Sequence, residues 1–117
     1  MSVQRLHVQK RFSEVAIFGH FVHLAGQLAE DTSLDIRGQS QQTFDIIDRL
    51  LAEAGTDKSH IMSVTIYLKD IEKDYAAFNE VWDAWVSDIQ ALPRTCVEAK
   101  LYHPDVLVEL TVIAAKP

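Results

Sequence analysis

Apolar and polar residues recur along the chain with two different periods, and these periods predict its secondary structure. Residues 61–68 alternate strictly, which is the period of a half-buried strand. The side predicted to be buried consists of Met62, Val64, Ile66 and Leu68. Residues 36–54 and about 73–89 instead carry apolar side chains at steps of three and four, so each is predicted to be an amphipathic helix. The apolar stripe of the second helix contains Tyr75, Phe78, Trp82, Trp85 and Ile89, and its tryptophans Trp82 and Trp85 are interpreted as core packing.

The boundaries of these elements follow from capping and turn residues. Ser33 or Asp35 is expected to cap the first helix, and Gly55 occupies its C′ position. The pair Gly19-His20 separates two apolar runs, so we expect a two-residue hairpin whose glycine supplies the positive φ of a type II′ turn. The predicted strands cover residues 3–8, 15–18, 21–25 and 61–68, a run that begins at Thr95, and residues 106–115.

This order of elements, β-β-β-α-β-α-β-β, predicts an α+β fold with a mixed sheet of about six strands and both helices on one face. The other face is then uncovered. It would expose apolar residues, among them Phe21, Leu107 and Ile113, over an area larger than a soluble monomer normally exposes. We therefore expect the protein to self-associate.

Length, charge and cysteine content narrow the class of protein. The 117 residues fit one domain over 1–117, large enough to bury a core without disulfides or metal. The net charge of −6 disfavours nonspecific binding to nucleic acid or to anionic membranes. Cys96 is the single cysteine, and the N-terminus has no apolar stretch that could serve as a signal peptide or membrane span. A soluble protein of a reducing compartment, most simply the cytoplasm, is the expectation.

Two charged residues stand in apolar surroundings in the last quarter of the chain. Arg94 follows Pro93 and opens a β-like run, and Glu109 lies within the apolar run of the last strand. Ionised groups rarely enter a core unpaired, because their desolvation is costly unless an opposite charge or hydrogen bonds compensate. An arginine and a glutamate on neighbouring strands would suit a small pocket for a charged substrate.

Each of these residues has a structural alternative as well as a functional interpretation. Arg94 is either a solvated surface residue or a bidentate clamp for a carboxylate or phosphate. Glu109 is either paired to a basic neighbour at a subunit boundary or a general base whose pKa is raised by desolvation. The pattern alone leaves both pairs of alternatives open.

Other candidate groups carry weaker signals. Cys96 could be a nucleophile, but a lone cysteine in an apolar strand is more often a small buried hydrophobe. His20 and His23 are too sparse for a metal site, and on a strand they would point to opposite faces. No glycine-rich nucleotide loop, nucleophile elbow or C-x-x-C motif occurs. We therefore expect no cofactor and no metal.

At these same residues the chain resembles the RidA/YjgF-type (Rid) family, whose better-known members are imine/enamine deaminases. The matching segments occur in the family's order and are residues 25–27, 54–55, 64–70, 78–82, 93–97 and 108–114. The stretch from Trp82 to Val97 is especially similar to the YoaB-like branch. The resemblance implies a chorismate-mutase-like fold assembled as a homotrimer, with three clefts between subunits.

The resemblance also implies roles for individual residues. Arg94 would hold the substrate carboxylate, Glu109 would position and activate the attacking water, and the backbone carbonyl of Cys96 would help to hold that water. Asn79 and Gly26 would line the cleft.

The implied reaction is hydrolysis of 2-imino or enamine acids to 2-keto acids and ammonia, as 2-iminobutanoate/2-iminopropanoate deaminases perform it. The sequence departs from the family pattern at Phe12, where better-studied members have a tyrosine, and at Ala25, where they have a small hydroxyl residue. Two alternatives to an enzyme stay open: a trimeric protein that binds a small carboxylate without turnover, and a trimeric scaffold for partner proteins.

Overall fold

The alternating and amphipathic segments form one mixed sheet with two helices in the computed structural model, which describes residues 2–117, so that Met1 of the predicted domain lies outside the described residues. The strands are β1 (Gln4–Val8), β2 (Ser13–Phe18), β3 (Phe21–Gln27), β4 (Ile61–Leu68), β5 (Arg94–Glu98) and β6 (Val108–Ala115). The helices are α1 (Ile36–Glu53) and α2 (Ile71–Trp85), with a short 3₁₀ helix at Lys58–His60. The predicted fold class and element order are confirmed.

The sheet has the spatial order β1-β2-β3-β6-β4-β5. Only β4 and β5 are parallel, and every other neighbouring pair is antiparallel. The last strand therefore inserts in the middle of the sheet, between β3 and β4, whereas β5 lies at the edge with β4 as its neighbour. This corrects the expectation that Arg94 and Glu109 are carried on neighbouring strands, because β4 separates β5 from β6.

Both helices begin at an aspartate that accepts a backbone hydrogen bond. Asp35 caps α1 by accepting from the Gly38 N–H at 2.9 Å, and Gly55 follows the helix with a φ of +87°. Asp70 caps α2 by accepting from the Lys73 N–H at 3.1 Å, so this helix starts at Ile71, earlier than predicted. It ends at Trp85 rather than near residue 89. Val86 is β-branched, and the serine and aspartate that follow it disfavour continuation of the helix, the aspartate because its charge is unfavourable near the negative end of the helix dipole.

One face of the sheet packs against α1 and α2 and forms the core. An aromatic cluster lies at its centre, where the Phe44 ring stacks on Trp85 with centroids 4.4 Å apart. Phe78 and Trp82 complete the cluster at 5.8 and 6.0 Å from Phe44. The interpretation of the two tryptophans as core residues is confirmed.

The opposite face of the sheet is uncovered in the protomer. Its exposed large apolar residues include Phe18, Phe21 and Val97, and Ile113 is half-buried. Two expectations need correction. Met62 is 48% exposed because a register shift between Ile61 and Ser63 removes it from the buried row. Leu107 precedes β6 and packs against the core instead of the uncovered face.

Candidate functional site

Arg94 is the first residue of β5 and lies opposite Val64, so its side chain is on the face of the sheet that the helices cover. Its Nη2 donates to Asn79 Oδ1 at 2.8 Å and to the Tyr75 hydroxyl at 3.3 Å. The guanidinium carbon lies 5.0 Å from the centroid of the Trp82 ring, within the range of a cation–π contact. We call these three residues of α2, which recur at steps of four and three along one helix face, the α2 cradle.

The other terminal nitrogen of Arg94, Nη1, is buried and has no hydrogen-bond acceptor anywhere in residues 2–117. A buried donor without an acceptor is costly, and native proteins rarely tolerate one without a reason. The cradle thus fixes a guanidinium whose unpartnered Nη1 could donate to a carboxylate or another anion once the atoms that now cover it move aside.

Glu109 lies on the uncovered face, between the buried residues Val108 and Leu110 and directly opposite Tyr67 of β4. Its carboxylate is half-buried and makes no hydrogen bond or ion pair with any side chain of the described part of the chain. Desolvation raises the pKa of the Glu109 carboxyl above its ordinary value. A carboxylate with a raised pKa and free oxygens is suited to proton transfer.

Gly26 lies against the Glu109 carboxylate. The β3–β6 register shifts between Leu24 and Gln27, and this irregularity brings the Gly26 backbone close to the glutamate side chain. A Cβ atom at position 26 would stand 2.9 Å from Glu109 Cδ and closer still to Oε2. Only glycine leaves the carboxylate in its present position.

A cavity of about 750 Å³ opens beside this pair. Its lining includes Phe12, Glu14, Gly26, Arg49, Tyr102 and Glu109. The volume is within the range of small-molecule sites. Phe12 therefore faces the same cavity as Glu109, but its ring offers no hydrogen-bond donor.

Cys96 lies opposite Ile66 and packs against the core from the helix-covered face. Burial raises the pKa of the Cys96 thiol, an effect that the nearby Arg94 charge partly offsets. These surroundings fit a small hydrophobic residue better than a nucleophile, which needs a lowered pKa. The role that the resemblance implies for the Cys96 backbone carbonyl does not depend on the thiol. It stays a prediction, and β5 lies at the edge of the sheet, where one side of the strand has no neighbouring strand among the described residues.

The structure thus groups the candidate residues into two half-sites on opposite faces of the sheet. The first consists of Arg94 and Asn79, with Cys96 beside them, and the second of Glu109 and Gly26. From the strand register, the backbones of Arg94 and Glu109 are roughly 14 Å apart within one protomer. The protomer alone does not bring the arginine and the glutamate together.

Sequence reasoning missed part of both half-sites. Tyr75 and Trp82 appeared only as members of an apolar helix stripe, although their spacing from Asn79 was a signal that all three share one face. Arg49 and Tyr102 line the Glu109 cavity and had no signal, because a cavity is formed by segments distant in sequence.

The titratable side chains of residues 2–117 form no candidate metal site. No group of three or more His, Cys, Asp or Glu side chains there could hold a metal ion. His20 lies in the β2–β3 turn, where its ring Nδ1 is 3.0 Å from the Lys116 carbonyl oxygen. No helix of this part of the chain has the length and apolar character needed to cross a membrane.

The fold and the two half-sites define a small α+β protein with one helix-covered sheet face, one uncovered face and an arginine whose guanidinium is held by three side chains of α2. The chain belongs to the family described as Endoribonuclease L-PSP, whose family model matches residues 2–116. This confirms the RidA/YjgF-type resemblance, since relatives and structural neighbours carry the RutC and YjgF family names.

The similarity extends over nearly the whole chain. It is 42% identical to a RutC family protein from Haemophilus ducreyi over 97% of this chain and 96% of that protein. It is 36% identical to the RutC family protein YoaB from Escherichia coli, covering 98% and 99% of the two chains. The crystal structure of a YjgF family member from Neisseria meningitidis matches with a TM-score of 0.95 and 37% identity, covering 100% and 97%.

Proposed function

We propose that this protein hydrolyses reactive 2-imino acids and their enamine tautomers to 2-keto acids and ammonia. The observation that carries the proposal is the Arg94 guanidinium, which the α2 cradle holds with a buried and unpartnered Nη1. A small acid would satisfy that donor with its carboxylate once the atoms that cover Nη1 in the protomer move aside. Family membership supports the same substrate class.

The reaction requires only positioning and proton transfer. Glu109 accepts a proton from water as the water oxygen bonds to the imine carbon and the C=N π electrons move to nitrogen. Protonated Glu109 then returns the proton to that nitrogen, which gives a neutral carbinolamine. The Glu109 carboxylate next takes the hydroxyl proton of the carbinolamine and passes it to the same nitrogen, so that the C–N bond breaks with release of ammonia as the carbonyl forms. Arg94 orients the acid, and the Cys96 carbonyl oxygen would accept a hydrogen bond from the water. Atoms balance as imine plus water gives keto acid plus ammonia, and no electrons are gained or lost.

A homotrimer with clefts between subunits is part of the proposal. Arg94 and Glu109 occupy opposite faces of one sheet, so a cleft containing both would take one residue from each of two protomers. The uncovered face supports assembly, because Phe21 at 50% exposure and its apolar neighbours would otherwise stay in contact with water. The cytoplasm is the proposed location.

A second candidate function is binding of a small carboxylate without turnover. Phe12 favours it, because the cavity beside Glu109 receives a phenyl ring where the sequence pattern of the family has a hydroxyl donor. Cleavage of RNA, which the family's description names, is disfavoured by the net charge of −6.

The deciding experiment generates 2-iminobutanoate in place with an amino-acid oxidase and follows the release of keto acid and ammonia. Wild type should accelerate hydrolysis, and Glu109→Gln should lower turnover about 10²- to 10⁴-fold. Glu80→Gln is the matched control, because Glu80 is an exposed carboxylate on α2 paired with Arg37. Hydrolysis no faster than the uncatalysed rate would exclude the enzyme, and tight binding of 2-oxobutanoate by that inactive protein would favour the second candidate. A parallel incubation with RNA tests cleavage directly.

A further inference from the structure

We propose that Tyr75 is a positioning residue for Arg94, and that its hydroxyl tunes the affinity of the site for carboxylates. In this proposal Tyr75 affects ligand binding by orienting Arg94 and does not itself contact the reacting atoms. The inference rests on the proposed function for the identity of the ligand, but its geometric basis lies within the α2 cradle.

The first step is the saturation of one guanidinium nitrogen. Nη2 of Arg94 carries two hydrogens, and it has two acceptors, Asn79 Oδ1 at 2.8 Å and the Tyr75 hydroxyl oxygen at 3.3 Å. This nitrogen therefore has no hydrogen left for a ligand. Nη1 is the terminal nitrogen that keeps both of its hydrogens without an acceptor in residues 2–117.

The second step concerns orientation about the plane of the group. The Trp82 ring centroid lies 5.0 Å from the guanidinium carbon and the Tyr75 ring centroid lies 5.9 Å from it. Two acceptors and two rings together restrict both the tilt and the rotation of Arg94. A cation fixed in its binding orientation loses less conformational entropy when a carboxylate binds.

The third step is that core packing does not account for Tyr75. The other aromatic residues of α2, Phe78, Trp82 and Trp85, are buried, whereas Tyr75 is 43% exposed. Its hydroxyl accepts from Arg94, so its own hydrogen remains available to solvent or to a ligand oxygen. Removing the hydroxyl should therefore leave the fold intact.

The test compares wild type with Tyr75→Phe, using 2-oxobutanoate as the binding probe in calorimetry. We expect the Kd to rise about three- to tenfold, the loss of one hydrogen bond, with KM for the imine rising by the same factor and kcat changing less than twofold. In the free protein, NMR should show faster solvent exchange of the Arg94 Nη2 hydrogens. Glu80→Gln, on the same helix but paired with Arg37, should change none of these quantities.

The possible results separate this proposal from the proposed function. An unchanged Kd, an unchanged Nη2 exchange rate, or a fall in kcat at constant KM would overturn the role of Tyr75. Wild type that binds 2-oxobutanoate without catalysing imine hydrolysis would refute the proposed reaction alone, and the Tyr75→Phe comparison would still decide the positioning role. Wild type that neither binds nor hydrolyses would refute both.

Discussion

Replacement of Arg94 by alanine should sharply lower activity while leaving stability almost unchanged. Nη2 already uses both of its hydrogens within the cradle, so the bond to a ligand comes from Nη1, and one charge-assisted hydrogen bond to a carboxylate is worth about 1.5–3 kcal/mol. Arg94→Ala should therefore lower kcat/KM at least about 10- to 10²-fold. In Arg94→Lys the charge is kept, but the ammonium would be drawn to the Asn79 and Tyr75 oxygens that now hold Nη2, so we expect a loss close to that of Arg94→Ala.

The stability of Arg94→Ala follows from two opposing contributions. The variant loses the cation–π contact with Trp82, worth about 0.5–2 kcal/mol, and two hydrogen bonds to the cradle, worth about 0.5–1.5 kcal/mol each. It also removes the buried, unpartnered Nη1, whose desolvation costs about 1–3 kcal/mol. At the middle of these ranges the free energy of unfolding falls by only about 1 kcal/mol, which distinguishes a binding residue from a structural one.

The assay is coupled imine hydrolysis, with denaturant unfolding and sedimentation measured on the same preparations. Arg37→Ala is the matched control, because Arg37 is an exposed arginine whose guanidinium is paired with Glu80 on the outer surface. The reasoning fails if Arg94→Ala retains kcat/KM within about threefold of wild type. It also fails if that variant is destabilised by about 3 kcal/mol, because Arg94 would then be a structural residue.

Three further predictions concern the neighbourhood of the site and its support. Gly26→Ala should displace the Glu109 carboxylate and lower kcat at least about tenfold with little change in unfolding free energy, since only the end of a flexible side chain must move; unchanged kinetics would contradict this. Phe44→Leu should lower the unfolding free energy by about 1–3 kcal/mol, measured in urea, because it removes a stacked ring from the aromatic cluster. The rate should fall as the pH is lowered through the pKa of Glu109, which burial raises above that of an ordinary glutamate, because the protonated carboxyl cannot act as a base. A pH profile without this acidic limb would exclude Glu109 as the base.

Local signals in the sequence predicted the elements of this fold well. The strict alternation of residues 61–68 became β4, and the aspartate and glycine that flank residues 36–53 became the caps of α1. Gly19 has a φ of +59° in the predicted two-residue turn. These features depend on side chains within a few residues of one another, so the local sequence is sufficient to predict them.

Strand order and the bulges depended on contacts between distant segments, and sequence reasoning did not obtain them. The insertion of β6 between β3 and β4 is set by long-range pairing, which no local pattern records. Met62 obeys the alternation perfectly in the sequence but is displaced by a register shift against β6. Tyr75 illustrates the same limit in the site, because its part in holding Arg94 depends on where β5 lies beside α2.

The arrangement of the two half-sites leads to a prediction that no single variant can test. Arg94 and Glu109 lie on opposite faces of one sheet, so a cleft that uses both would join the cradle of one protomer to the Glu109 cavity of another. Arg94→Ala and Glu109→Gln would then damage different sides of each cleft. Mixed trimers, made by refolding the two inactive variants together, should contain some clefts with both native residues.

The expected gain can be calculated from random assembly. In an equal mixture, half of the protomers contribute a native Arg94 and half a native Glu109, so roughly a quarter of the clefts are intact, and roughly a quarter of wild-type activity should return. The separately refolded variants are the control, and sedimentation establishes that mixed assemblies have formed. If both residues acted within one protomer, each chain would stay defective and mixing would restore nothing, so an inactive mixture of well-formed trimers would refute the shared cleft.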